Sequence, residues 1–401
     1  MRRSALAVLL AAALAPATVS AESLVVRTPA LHDGTGGPPS SAVIVIRDGR
    51  IDRITGEAPA NARVLSAAVV TPGFIDVHTS AGLSGLRNVA AVLDQDERTD
   101  PDGSALRALD AFDPRDPLLR HLLEHGVTTV QTGPGPANPI AGQAGVFRTH
   151  GTVADEMVVR FPSAMVFNLG EIPKATYKES RGSSTRMGTA ALIRERLEQG
   201  AEHLARSGRL FGDSPEPAPG REAMGRVANG ELPAVFTAHR ADDVLTALRL
   251  TRDFDLTSMV AGGTEAYLVR DELIAAGIPV LVGPVMQRVS TPETENATYE
   301  NAALLAERGI PIAIRTGFES YVPKNRVLLF ETQVAVANGL DRAAALRAIT
   351  LAPAELLGIE PDYGSVEPGK VADLVLFDGD PFEYTSHVAA VIAGGQVVYE
   401  R

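Results

Sequence analysis

The most informative segment for the fold is Thr71-Pro72-Gly73-Phe74-Ile75-Asp76-Val77-His78-Thr79-Ser80. Residues 69–78 form an apolar run without strict alternation, which is typical of a strand buried on both faces of a parallel sheet. Seven further runs of this kind follow, at Val127–Thr132, Ala144–Thr149, Ala164–Leu169, Ala234–His239, Leu256–Ala261, Ile278–Gly283 and Ile310–Thr316.

Helical patterns separate several of these strands. They lie at Asp116–Glu124, Thr185–Ser207, Ala241–Phe254, Glu265–Ala276 and Tyr299–Arg308. Eight buried parallel strands with helices between them predict an α/β fold of the (β/α)8, TIM-like barrel type, with its chemistry at the carboxyl ends of the strands. A doubly wound open sheet is the alternative architecture.

The two ends of the chain have a different sequence pattern, which indicates short strands and tight turns. Asp48-Gly49-Arg50 supplies a turn near the start and Gly394-Gly395 another near the end. These ends therefore lie outside the strand–helix repeat.

The composition excludes several classes of protein. The 401 residues carry 37 Lys and Arg against 49 Asp and Glu, a formal net charge of −12, so a nucleic-acid partner is not expected. The chain has no cysteine, which excludes disulfides, a thiolate nucleophile and Cys-ligated zinc.

Residues 1–21 have the pattern of a cleavable signal peptide. Arg2 and Arg3 precede the apolar run Ala5–Ala15, and Val19-Ser20-Ala21 is a small-residue cleavage site. Pro16 interrupts the run well short of the ~20 apolar residues that a membrane span needs. We expect an exported protein, periplasmic or secreted, with no membrane attachment after cleavage.

Several motifs carry a family resemblance. Residues 71–80 resemble the first barrel strand of the amidohydrolase superfamily, in which Pro-Gly-Phe-Ile-Asp leads into His-x-His. Further motifs resemble its imidazolonepropionase-related, exported branch, including 138–143, 170–174, 238–243 and 263–267, and the run 364–375 is typical of the superfamily as a whole. The resemblance implies a barrel over 71–349 and a small composite β-sandwich formed by 22–70 and 350–401.

The resemblance also implies hydrolysis of amide-type carbon–nitrogen bonds with one or two divalent metals, which activate water and polarise the carbonyl. Of the six ligand positions, three are kept: His78 on the first strand, Glu171 after the fourth and His239 after the fifth. The other three are Ser80, Gly262 and Gly317, and glycine has no side chain that could coordinate a metal.

Arg315 lies two residues before Gly317, so both face the same way on a strand. We expect its guanidinium to point into the barrel, to fill part of the space that the metal leaves and to pair with Glu171 or Asp76. The alternative is a register slip that puts Arg315 at the bottom or the surface of the barrel. Purely structural roles are the alternatives to metal binding for two more residues, with His78 as a core histidine and His239 as a helix cap.

Three functional hypotheses follow. The first is an exported hydrolase of a small amide or peptide-like molecule, with one zinc-like ion on His78, Glu171 and His239. The second is a catalytically inactive pseudo-amidohydrolase that binds a ligand or an active paralogue, and the third is a metal-free enzyme that uses Arg315 and Glu171. Related barrels commonly self-associate. The expected substrate-binding residues, just beyond the strand ends, are Lys174, Tyr177, Arg240 and Glu265.

Overall fold

The computed structural model describes residues 24–60, 62–86, 89–179, 183–207, 216–317 and 327–401. The predicted signal peptide, 1–21, lies outside these residues.

The first part of the chain forms five strands of a small sheet. They are β1 (Leu24–Leu31), β2 (Ser40–Arg47), β3 (Arg50–Thr55), β4 (Arg63–Ser66) and β5 (Val69–Pro72). Strands β1, β2 and β3 form an antiparallel meander, whereas β4 and β5 pair with β1 in parallel. Gly73 then separates β5 from the first barrel strand.

The barrel consists of eight strands in sequence order. They are β6 (Phe74–Thr79), β7 (Val127–Thr132), β8 (Ile140–Arg148), β9 (Val158–Asn168), β10 (Ala234–Ala238), β11 (Ser258–Gly262), β12 (Val280–Val282) and β13 (Ile312–Ile314). An isolated parallel bridge between Thr79 and Gly317 joins the last strand region to the first, so the sheet is nearly closed.

Eleven α-helices lie within the described residues. They are α1 (Pro117–Glu124), α2 (Ala154–Met157), α3 (Glu171–Thr176), α4 (Arg186–Ser207), α5 (Pro219–Ala228), α6 (Ala241–Phe254), α7 (Arg270–Ala276), α8 (Asn301–Ala306), α9 (Leu328–Ala337), α10 (Arg342–Arg347) and α11 (Leu351–Leu357). The Asp116 side chain caps α1 by accepting a hydrogen bond from the Leu118 N–H. No described helix has the length and apolar character required to cross a membrane.

The end of the chain returns to the small sheet with β14 (Leu374–Phe377), β15 (Val388–Ala393) and β16 (Gln396–Glu400). Strand β14 pairs with β5 and so connects the two terminal segments in one sheet. Side chains alternate along β14: Leu374 and Leu376 join the sheet's own core, whereas Val375 and Phe377 join the core shared with the barrel helices.

The barrel interior is packed by short apolar side chains, among them Ile75, Val146, Val235 and Ala313. The helix α11 belongs to the same cluster and lies against β6 and β13. Ile75, near the start of β6, donates its N–H to the Ile349 carbonyl just before α11. This end of the barrel is therefore filled, which leaves the carboxyl ends of the strands for a site.

The predicted barrel and the separate sheet are confirmed, but the expectation of eight parallel strands is wrong for the third. Strand β8 runs antiparallel to both β7 and β9, and it begins at Ile140 instead of the predicted Ala144. The connection from β7 to β8 spans only residues 133–139, which suits a hairpin but is too short for a parallel crossover. The domain limits at 70 and 350 stay a prediction; β5 extends past the first, and α11 packs on the barrel beyond the second.

Candidate functional site

A cavity of about 280 Å³ opens at the carboxyl ends of the barrel strands. The ends of β6, β9 and β10 contribute to its wall, together with the segments that follow β7, β12 and β13. The lining includes four residues that the sequence singles out, His78, Glu171, His239 and Arg315. The structure therefore brings the predicted metal and catalytic residues to one site.

His78 lies near the end of β6 and is 6% exposed. Its Nδ1 has no hydrogen-bond partner, and neither does the buried hydroxyl of Ser80, which replaces the family's second histidine. Burial, and then the nearby positive charge of Arg315, lower the pKa of His78 to about 3. The imidazole is therefore neutral at physiological pH.

His239 directly follows β10 and is held by a short hydrogen-bond chain. Its Nδ1 lies 2.7 Å from the Thr264 hydroxyl, which donates to Oε1 of Gln287 at 2.6 Å. The amide Nε2 of Gln287 also lies 3.4 Å from Nδ1, so Thr264 and Gln287 together hold the imidazole ring. Burial, and then Arg315, lower the pKa of His239 to about 4.

Gly262 ends β11, where the family has another histidine. Its φ is +89°, and a Cβ placed there would lie 2.8 Å from Cε1 of His239. The His239 ring thus occupies the space that a side chain at position 262 would need. The backbone itself has adopted a conformation that favours glycine.

Arg315 follows β13, is 5% exposed and lines the cavity, which confirms the predicted inward direction. Its Nε donates to the Gly283 carbonyl at 3.1 Å. A Cβ at Gly317 would lie 3.3 Å from Cζ of Arg315, so the guanidinium stands where the family's aspartate would project. Burial lowers the pKa of Arg315 to about 10, which leaves it charged at neutral pH.

The predicted pairing of Arg315 with Glu171 or Asp76 is wrong, because neither carboxylate lies within 4.0 Å of the guanidinium. Asp76 accepts hydrogen bonds from the N–H of Thr316, at 3.1 Å, and from its hydroxyl. Burial raises the pKa of Asp76 to about 6, against the lowering effect of the two Thr316 hydrogen bonds. The neighbouring threonine therefore satisfies this carboxyl.

Glu171 is the first residue of α3 and is half-buried in the cavity wall. Its backbone N–H donates to Oε1 of Glu293, a cavity residue that the sequence reasoning missed. Arg186 bonds the same carboxylate at 3.3 Å and both Asp243 oxygens at 3.0 Å. Burial, and then the charges of Glu171 and Asp243, raise the pKa of Glu293 to about 7.

The four predicted substrate-binding residues are absent from the cavity lining. Tyr177 is buried and donates to the Asp100 carbonyl, and the Glu265 carboxylate accepts from the Ala241 N–H and the Asn296 amide. Arg240 pairs with Asp242, and Lys174 is exposed on α3. Substrate binding by these residues stays a prediction, and three of them have structural partners.

The segment after β12 supplies much of the lining instead, with Pro284, Gln287, Arg288, Ser290, Thr291, Glu293 and Thr294. Its sequence has no strand or helix pattern, so only its position could have identified it. Loops that follow barrel strands carry the binding groups in this architecture.

The residues present do not fit the family's metal centre. No group of three or more His, Asp or Glu in the described part of the chain is arranged to hold a metal ion. The hypothesis of one ion on His78, Glu171 and His239 stays a prediction, which this arrangement does not favour. A buried guanidinium beside two histidines is also a repulsive neighbour for a divalent cation.

Comparison with known proteins identifies relatives over most of the chain. The model of the amidohydrolase family matches residues 228–399. The crystal structure of an amidohydrolase from Thermotoga maritima MSB8 is 30% identical with a TM-score of 0.88, and the match covers 94% of this chain and all of that one.

Two curated relatives also match. The amidohydrolase tasK of Hapsidospora irregularis is 24% identical over 84% of this chain, which spans 38% of that longer protein. An imidazolonepropionase from Chromobacterium violaceum is 23% identical, over 86% of this chain and 87% of its own length. With the full-length match to the Thermotoga structure, these findings show that the chain belongs to the amidohydrolase superfamily.

Proposed function

We propose that this chain is an exported hydrolase that acts on non-peptide, amide-type carbon–nitrogen bonds of a small molecule, and that its metal centre is lost. The observation that carries the proposal is the cavity at the carboxyl ends of the strands, where Glu171 and Arg315 meet two neutral histidines. A leader at 1–21 is the basis for export.

The chemistry needs a group that stabilises negative charge on the carbonyl oxygen and a group that moves a proton. Arg315 supplies hydrogen-bond donors with a fixed positive charge in a buried position. In this mechanism, water attacks the carbonyl carbon, and Glu171 takes its proton and returns it to the leaving nitrogen. The products are a carboxylate and an amine, and no step uses a metal.

A second candidate is an inactive pseudo-amidohydrolase that binds a ligand or an active paralogue. The replacement of three ligand positions by Ser80, Gly262 and Gly317 favours it, because it removes the family's usual water activation. Both candidates use the same cavity, and they differ in whether the bound molecule is turned over. Self-association remains a proposal for either.

A panel of cyclic and acyl amides, incubated with the purified protein and excess EDTA, tests the two candidates. Hydrolysis that survives EDTA and falls at least 100-fold in Glu171→Gln supports the metal-free hydrolase. Binding without turnover, measured by calorimetry on the same panel, supports the pseudoenzyme. Hydrolysis that EDTA abolishes and zinc restores would contradict both. Glu383→Gln, an exposed carboxyl far from the cavity lining, is the matched control.

A further inference from the structure

We propose that the space of the lost metal centre is a carboxylate-binding subsite, in which Arg315 receives the anionic group of a small organic acid. The ligand class is a small monocarboxylate, as amide hydrolysis would release, and its carboxylate occupies the place at Arg315 that the carbonyl oxygen of a substrate amide would take. Carboxylate binding itself is independent of catalysis, whereas the match to the substrate's carbonyl oxygen rests on the proposed function.

The first argument is that Arg315 forms no direct ion pair within the described residues, and the charge of Asp76 acts on it only from beyond 4.0 Å. The guanidinium is 5% exposed, and its one hydrogen bond to another described residue runs from Nε to the Gly283 carbonyl. No Asp or Glu of the described ranges lies within 4.0 Å of it. A buried charge without a direct partner is costly, and a bound carboxylate would supply the opposite charge that this site lacks.

The second argument is the space in front of the guanidinium. The cavity of about 280 Å³ is at the small end of ligand pockets, which fits a small metabolite. Gly317 contributes no side chain at the point closest to Cζ and Nη2 of Arg315. Arg315 lines the cavity, and a carboxylate matches the planar fork of a guanidinium with two parallel hydrogen bonds.

The third argument is that the acidic residues of the wall do not compete for Arg315. Arg186 bonds the Glu293 and Asp243 carboxylates. Glu171 is more exposed than Arg315, and its side chain has no hydrogen-bond partner among the described residues. The site thus has a cation in its buried part and a free carboxylate nearer the solvent, which orients a ligand with its acid group inward, toward Arg315.

Calorimetric titration of the full chain with benzoate, in EDTA and at constant ionic strength, tests the subsite. Benzamide has the same shape without the charge, and inorganic phosphate is the competing anion. We expect one benzoate per chain, with benzamide and phosphate at least tenfold weaker. Arg315→Met should weaken benzoate binding at least tenfold and Arg315→Lys less, while the exposed Arg249→Met leaves it unchanged.

Equal affinity for benzoate in wild type and Arg315→Met, or no binding by the wild type at ~10 mM, would overturn the subsite. So would phosphate or benzamide binding as tightly as benzoate, a comparison that needs only the wild type if the Met variant does not fold. Benzoate binding without amide turnover would contradict the proposed hydrolase activity and support the carboxylate subsite. Amide turnover without benzoate binding would support the hydrolase activity and contradict the subsite.

Discussion

Two arginines near the cavity should respond in opposite ways to loss of their charge. Arg315 is buried without a carboxylate partner, whereas Arg186 bonds two nearly buried carboxylates, Asp243 and Glu293. We expect Arg315→Met to be at least as stable as wild type, by up to about 2 kcal/mol, because it removes a desolvated charge. Arg186→Met should lose about 2–4 kcal/mol, because it leaves two carboxylates without a counter-ion.

Urea unfolding monitored by circular dichroism measures both variants, with Arg249→Met as a surface control. A loss of more than about 1 kcal/mol in Arg315→Met would show that this arginine is structural, and the ligand argument would then fail.

Gly262 makes the loss of the metal ligand hard to reverse. The backbone at Gly262 has a φ of +89°, which disfavours any residue with a Cβ. A Cβ there would also lie 2.8 Å from Cε1 of His239, a ring that Thr264 holds in place. We therefore expect Gly262→Ala to cost about 2 kcal/mol, the sum of strain and overpacking. Gly230→Ala has a similar positive φ but open space around it, so it should cost less. Equal losses in the two variants would refute the steric part of the argument.

The sequence predicted which way individual side chains at the site point, but not which residues they contact. The strand alternation of 315 and 317 correctly placed Arg315 inside the barrel, because that inference needs only the register. The missing ion pair was not predictable, because it depends on the Thr316 side chain, which takes Asp76. Glu293 was missed because its segment has no periodicity and reaches Glu171 across 122 positions of sequence.

At the level of elements, Asp373 links the small sheet to the barrel and provides a pH test. Its carbonyl accepts from the Gly73 N–H between β5 and β6, and its buried carboxylate accepts from the Gly394 N–H at 2.7 Å. Burial raises the pKa of Asp373 above its usual value, and Oδ2 has no hydrogen-bond partner. The folded state therefore holds this proton more tightly than the unfolded state does.

A raised carboxyl pKa contributes stability at low pH that is lost as pH rises through the folded value. We expect the unfolding free energy of Asp373→Asn, relative to wild type, to increase from about pH 4 upward and then level off. Denaturant unfolding of both proteins at a series of pH values measures this difference. A constant difference would mean that folding leaves the pKa of Asp373 unchanged, and a falling difference would mean that folding lowers it. Asp362→Asn, at an exposed ion pair, is the control.

Among the elements, the long helices were the most accurately predicted, since α6 begins and ends as its pattern indicates. The antiparallel strand β8 was not, because an apolar run does not encode its direction. The short connection between β7 and β8 indicates an antiparallel pair. The predicted start at Ala144 made this connection look longer than it is.

For the whole molecule, the family motifs predicted the barrel and its attached sheet, since these depend on patterns spread over most of the chain. The site departs from the family because its charge balance has changed, with a guanidinium standing beside the position of the missing aspartate. We infer that the positive charge of Arg315 stands in place of the metal pair.

Elemental analysis of the full chain, purified from zinc-supplemented cells and dialysed without chelator, tests this claim most directly. We expect fewer than ~0.2 divalent ions per chain, because the affinity for metal falls when metal-ligating side chains are absent. One or two ions per chain, released when His78 or His239 is replaced by alanine, would contradict it.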